Sequence, residues 1–339
     1  MHRSLDDVLP AVIARPPARR ALAGLIALAA AGLVALPDAS AQAWPSRPVR
    51  MIVPFAAGGA ADRVARVVAE RLGLAFGQQF IADNRPGAGG SIGFELLAKA
   101  TPDGYTLGSA SDSAALLPFT YRNLGWDPRS FTGISTVTSQ PLVLAVHASV
   151  PATDVKSFVA WARSKPGQLS FGSSGHGHPQ HLTGEMIKLA TGIDMNHIPY
   201  KGGGAAIIDL VGGQVPIAVL GSSTVIPHHR SGKVRILAVT SARRASTLPD
   251  VPTLDEAGIK GIGVVQWQGL YGPPKLPRPL VDRLNAALRT AVATPAVREM
   301  LEAAGFEAGS STPEQAEARM REDMQRWERL VPKLGLKFD

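Results

Sequence analysis

There is no cysteine anywhere in the 339-residue chain. That single absence removes disulfides, thiolate nucleophiles and cysteine-ligated metals together, and it leaves the compartment open. A metalloprotease-type H-E-x-x-H is missing, and so is a strict G-x-G-x-x-G. Lysine and arginine form no basic block and are not interleaved with aromatics, so nucleic acid is not a predicted partner. After residue 43 there is no second long apolar run, no linker and no low-complexity segment.

What is present is globular: 45% hydrophobic and 18% charged, with a formal net charge of +8. The length allows two domains and a sizeable core. The first 43 residues stand apart. They carry Arg15, Arg19 and Arg20, an apolar run from Ala21 to Leu36, and the small-residue endings Ala39-Ser40-Ala41 and Ala41-Gln42-Ala43. This order predicts a secretory signal cleaved after Ala41 or Ala43, and therefore a periplasmic product. An uncleaved anchor is the alternative, and Arg19-Arg20 leaves the twin-arginine route open beside the general one. Residues 1–43 hold a net +1, so the remainder keeps +7. Such a charge raises encounter rates with anions, screened over about 8 Å at physiological ionic strength.

The stretch Met51 to Asp62, MIVPFAAGGAAD, organises the rest. Met51, Ile52 and Val53 read as a strand buried on both faces, ended by Pro54. Gly58 and Gly59 make the turn, and Asp62 opens a helix whose apolar positions are Val64, Val67, Val68 and Leu72, with Gly73 as its expected cap. A strand passing through a glycine turn into a helix aims unpaired N–H groups at one point, which suits an anion. An ordinary βα turn has the same composition.

The loop NRPGAGGSIG, with Gly87, Gly89, Gly90 and Gly93, sits between a second strand, Gln79 to Ala82, and another helix. Its spacing and the lack of a following acidic residue argue against a dinucleotide; close packing or a cleft wall is expected, and no cofactor. A strand from Tyr105 delivers Ser109, Ser111 and Ser113 at its carboxyl end. Further strands fall at Pro141 to Val146, Leu169 to Gly172, Asn196 to Tyr200, Val215 to Leu220 and Val234 to Val239, with helices between, including Asp154 to Ser164. The alternation predicts a parallel α/β sheet with ligands at the carboxyl ends of its strands.

The loop SSGHGHPQHLTGE repeats the anion-turn chemistry with Ser173, Ser174, Gly175 and Gly177. His176, His178 and His181, with Glu185, raise a metal site. The loose His-x-His spacing across glycine favours capping or hydrogen-bonding histidines, so no metal is expected. Tyr200 and Lys201 end the next strand, and Ser222, Ser223 and Thr224 follow a later one. Near the end, Thr294-Pro295 reads as a helix start, and Ser311 with Glu314 as a capping box.

Taken together, WPSRPVRMIVPFAAGGAAD, NRPGAGGSIG, PDGYTL, FGSSGHGHPQHLTGE, IPYKGGGAAIIDLVGGQ, LPDVPTLDEAG and the helical tail resemble the Bug family, extracytoplasmic substrate-binding proteins associated with tripartite tricarboxylate transporters. The resemblance runs from Trp44 to Asp339. It implies a type II periplasmic-binding-protein fold: two α/β domains, 44–142 plus 266–339 and 143–265, joined by two crossovers near Leu142 to Val146 and Val264 to Gly269, around a ligand cleft. It also implies a small organic carboxylate pinched between Phe55, Gly58, Gly59 and Asp62 of one domain and Ser173, Ser174, Gly175 and Gly177 of the other. Ser109, His176, Tyr200 and Ser222 complete the expected site. The implied partners are the membrane components of such a transporter, and the receptor is expected to be a monomer with no catalytic residue. Two departures stand out: His178 replaces the usual serine, and Pro216 the usual acid after GQV. A sensor-kinase input module is the alternative role. A hydrolase built on Ser174 and His176 is the alternative from another class.

Overall fold

The computed structural model describes residues 44–336, so the expected signal segment and its cleavage sites lie outside the described residues. From Arg47 onward the chain forms one compact unit. Among the described residues no helix is long and apolar enough to cross a membrane.

The opening stretch folds as its pattern requires. Strand β1 (Val49–Val53) is buried almost throughout, and helix α1 (Ala60–Phe76) follows the glycine turn. Val64, Val68 and Leu72 recur on one face of α1 and are almost fully buried. Each such side chain contributes about 1.5–3 kcal/mol relative to exposure. The helix ends four residues later than expected. Gly77, at φ +67°, takes the left-handed position and donates its N–H to Gly73 O, so Gly73 lies inside the last turn.

The chain continues through β2 (Phe80–Asn84), α2 (Ser91–Ala98), β3 (Thr106–Ser111), α3 (Asp112–Thr120) and β4 (Thr132–His147). Next come α4 (Val155–Arg163), β5 (Leu169–Ser173), α5 (Pro179–Thr191), β6 (Met195–Pro199) and α6 (Gly203–Val211). After these stand β7 (Ile217–Gly221), α7 (Ser222–Arg230), β8 (Val234–Val239) and β9 (Val265–Gly272). The remainder is α8 (Arg278–Ala293), α9 (Pro295–Ala303), β10 (Glu307–Ala308) and α10 (Pro313–Leu330).

The sheet is mixed rather than wholly parallel. Its strands run in the order β2-β1-β3-β9-β4-β7-β5-β6, with β8 and β10 also on β4. The β2-β1-β3 and β7-β5-β6 groups are parallel, whereas β9 and β4 run antiparallel to their neighbours. Strand–helix alternation reports the parallel groups and carries no signal for strands that return between them. Strand β4 changes partner midway: Thr132 to Pro141 face β9, and from Leu142 onward β7 and β8 take over.

At the end of the chain, Met320 and Trp327 of α10 are buried, and α10 packs on α3 and β4. Its capping box lies one residue beyond the expected pair: Thr312 accepts from the Gln315 N–H, and the Gln315 side chain accepts in return.

Candidate functional site

Both glycine turns lie at carboxyl ends of parallel strands and lead into helices whose N-caps, Gly59 and His178, make no side-chain cap. The α4 helix, by contrast, is closed by an Asp154–Ser157 capping box. Uncapped helix starts leave N–H groups and the positive end of the helix dipole facing outward.

In the first turn Asp62 acts as a brace. Its carboxylate accepts from Gly58 N–H at 2.9 Å, Asn84 Nδ2 at 2.9 Å and Arg66 Nε at 3.0 Å. Asn84 Nδ2 also holds Phe55 O at 3.0 Å. Burial alone would raise the Asp62 carboxyl, but the bonds from Arg66, Gly58 and Asn84 outweigh it and hold it below the ordinary aspartate value. Asp62 and the Gly58 N–H, both expected at the ligand, are bonded to one another here. Gly58 takes φ +82°, which the bend requires. The α2 loop backs this turn: a Cβ on Gly93 would stand 2.6 Å from Pro54 Cα, and one on Gly90 3.2 Å from the Phe55 ring. Its glycines thus serve close packing.

The second turn is braced from below. Ser173 is fully buried, and its Oγ donates to Gly175 O, accepts from Gly175 N–H at 3.2 Å and lies 2.7 Å from His197 Nε2. Gly177 N–H donates to His181 Nδ1 at 3.1 Å. The His181 and His197 rings stack at 3.7 Å, with His176 4.9 Å from His181. Desolvation, then neighbouring imidazoles, push His181 down to about 3 and His197 to about 4, so both are neutral near pH 7. His178 is driven to about 4 by desolvation and by His176. The Gly175 and Gly177 N–H groups, expected to point at a ligand, are thus engaged within the turn.

The two turns come together. The Phe55 and His178 rings meet at 6.2 Å, and Arg63 Nη2 reaches Ser223 Oγ at 3.4 Å from the start of α1 to the start of α7. Gln140 of β4 sits between: its Oε1 accepts the Ser223 N–H at 2.8 Å. Ser222 Oγ, expected at the ligand, is buried against Gly305 O at 3.3 Å and Gln140 Oε1 at 3.5 Å. Tyr200 is likewise committed. Its hydroxyl donates to Asp209 Oδ2 at 2.7 Å, and desolvation, then Asp209, push the phenol up to about 12. Ser109 lies inside β3, opposite Leu270 of β9, because the strand runs two residues further, to Ser111. Gly59 and Ser174 stay at the turns, and His176 is exposed.

Sequence reasoning missed Arg63, Gln140 and His197. Arg63 had a usable signal, since it follows Asp62 in the first turn of a helix. His197 had none, because only the register Phe171↔His197 between β5 and β6 brings it under the second turn.

A family model described as the tripartite tricarboxylate transporter family receptor matches residues 64–336. The Bordetella pertussis protein BugT is 35% identical over 320 residues, covering 92% of this chain and 96% of its own. A Pseudomonas protein of the tcbD-tcbE intergenic region is 36% identical over 292 residues, covering 86% and 87%. The periplasmic binding protein BugD has a similar structure, with a TM-score of 0.81, 35% identity and coverage of 87% and 99%. Rpa4515 of Rhodopseudomonas palustris, solved with adipate, gives a TM-score of 0.82 at 33% identity, covering 86% and 98%. MatC from the same organism, solved with malate, gives 0.78 at 31%, covering 85% and 100%.

Proposed function

The chain belongs to the tripartite tricarboxylate transporter receptor family, whose matched structures are periplasmic binding proteins, and we propose that it captures a small organic dicarboxylate for membrane components of such a transporter. The observation that carries this reading is the meeting of Phe55, in the glycine turn that leads into α1, with His178, the N-cap of α5. A helix N-terminus stabilises an anion placed at it. Arg63, bridging α1 and α7, adds a full positive charge. Adipate and malate, bound to the two relatives, are both dicarboxylates.

In this reading the chain comprises two domains, 44–142 plus 266–339 and 143–265. The change of β4 partners between Pro141 and Leu142 and the start of β9 at Val265 support that division. Rotation about these crossovers closes Gly59 and Phe55 against Ser174 and His176, with the ligand carboxylate between them. The receptor works as a periplasmic monomer without catalytic turnover or cofactor, once its signal is removed after Ala41 or Ala43.

A thermal-shift series of C4 to C6 dicarboxylates, with neutral and cationic analogues as controls, tests this. A cognate acid at about 100 times its dissociation constant adds roughly 2.7 kcal/mol. Stabilisation by a neutral or cationic solute, with none by any carboxylate, would overturn it.

A further inference from the structure

The loop carries His176, His178 and His181, but the fold assembles a different three. His178 turns to Phe55, and His197 arrives from β6. The ligating atoms of His176, His181 and His197 all lie within 4.8 Å of one another. We propose that these three histidines bind a divalent transition cation of the zinc and nickel class.

The donor set decides the class. Three imidazoles with no carboxylate among them suit zinc, nickel or copper and are poor ligands for magnesium or calcium, which want oxygen. Two donors stand on regular structure, His181 in the first turn of α5 and His197 in β6, while exposed His176 gives an ion its way in. A tetrahedral ion with bonds of about 2.0–2.1 Å holds its nitrogens roughly 3.4 Å apart. The donors must therefore close by at most about 1.4 Å from their 4.8 Å span, and the stacked His181 and His197 rings must rotate to converge. Glu185 Oε1, 4.0 Å from His181 Nε2, stands one helical turn away. It also pairs with Lys188 at 2.9 Å, which offsets the nearest positive charge.

Ion binding has a structural consequence. A neutral imidazole offers one ring lone pair, and in His181 the Gly177 N–H occupies the one on Nδ1. Ligation therefore exchanges that bond for the ion and turns the Gly177 N–H loose. Ser173 Oγ, whose one hydrogen goes to Gly175 O, accepts from His197 Nε2–H, and it too is freed if that proton moves to Nδ1 and the ion takes Nε2. The cation site is thus coupled to the conformation of the second turn, yet its existence does not depend on which solute binds there.

The test uses the mature chain without an affinity tag, stripped with EDTA and titrated with ZnCl2 by calorimetry and with CoCl2 by visible absorption. Expected are one equivalent of zinc and the intense d–d bands of low-coordinate cobalt. Zinc affinity falls at least tenfold in His176→Ala and in His197→Gln, with circular dichroism reporting that each variant folds. The adjacent, half-buried pair His228 and His229 in α7 is the competing site, and replacing both by alanine leaves binding unchanged. No stoichiometric zinc, zinc retained in folded His176→Ala, or zinc lost with His228 and His229 would each overturn the assignment.

Discussion

Phe55 and His178 meet edge to face, their ring centroids 6.2 Å apart and their planes at 61°, and this contact joins the first glycine turn to the second. Phe55 also packs edge-on against the buried ring of Phe94, so its position is fixed from behind. An aromatic pair of this geometry contributes about 0.5–1.5 kcal/mol beyond its area burial. Phe55→Ala is expected to lower the melting temperature, because both ring contacts are lost, and to weaken carboxylate binding by roughly 3- to 10-fold. Calorimetric titration of wild type and variant with the same acid checks this; an unchanged affinity would separate the contact from ligand capture.

Asp62 should behave as a structural brace. Removing a buried acceptor that holds Gly58, Asn84 and Arg66 costs about 1–3 kcal/mol, so Asp62→Asn lowers the melting temperature and loosens the first turn. The pH dependence comes from its depressed pKa. The unfolded chain binds the proton first, so the stabilisation is complete above the ordinary aspartate value and is lost as pH falls through the folded one. The difference in melting temperature between wild type and variant should be constant near neutrality and shrink in acid.

How much of this was legible depended on whether a residue's role was local. The turn at Gly58 and Gly59 could be read because a strand period precedes it and a helix period comes after, and β8 has the bounds its apolar run gave, Val234–Val239. The first half of β4 was invisible, since Thr136, Thr138 and Gln140 look like loop yet are held by pairing with β9. Strand β9 hides in the same way, because Gln266 and Gln268 interrupt its apolar pattern and are buried nonetheless. Polar side chains near a strand-partner switch satisfy one another across the sheet, as Gln140 Nε2 does in donating to Gln266 Oε1 of β9, and no window of neighbouring residues records that. The anion turns were located by composition, but composition could not show that the N–H groups of Gly58, Gly175 and Gly177 were already spent inside the chain.

Asp112 should respond to pH in the opposite sense. It is buried at the start of α3, and desolvation, then Asp323, push it up to about 8, outweighing Arg319 and the Gln266 and Ser113 N–H groups that favour the charged form. The folded state therefore holds a proton that the unfolded chain has released, and stability falls as pH rises from the ordinary aspartate value toward 8. Asp112→Asn removes that loss. Its melting temperature should match wild type near pH 4 and exceed it by several degrees at pH 8, as scanning calorimetry would record. Equal melting temperatures at pH 8 would mean that the carboxylate is solvated there.

Gly184, inside α5, sets helix propensity against packing. In an exposed helix, alanine would be about 1 kcal/mol better than glycine. Here a Cβ would stand 2.1 Å from Phe171 Cε2 and 2.5 Å from Cζ, and Phe171 is fully buried in β5, so the ring has no room to yield. Overpacking of this kind costs typically 1–3 kcal/mol, so the net effect of Gly184→Ala should be destabilising, with a melting temperature lower by several degrees. The substitution also reaches the ligand. Helix α5 must lift from β5 to admit the methyl group, and its first turn carries His181, on which Gly177 N–H depends. Carboxylate affinity should therefore fall along with stability, although residue 184 touches neither glycine turn. A variant that melts higher than wild type would show that α5 is free to slide on β5, and the second turn would then lack the rigid seat that anion capture requires.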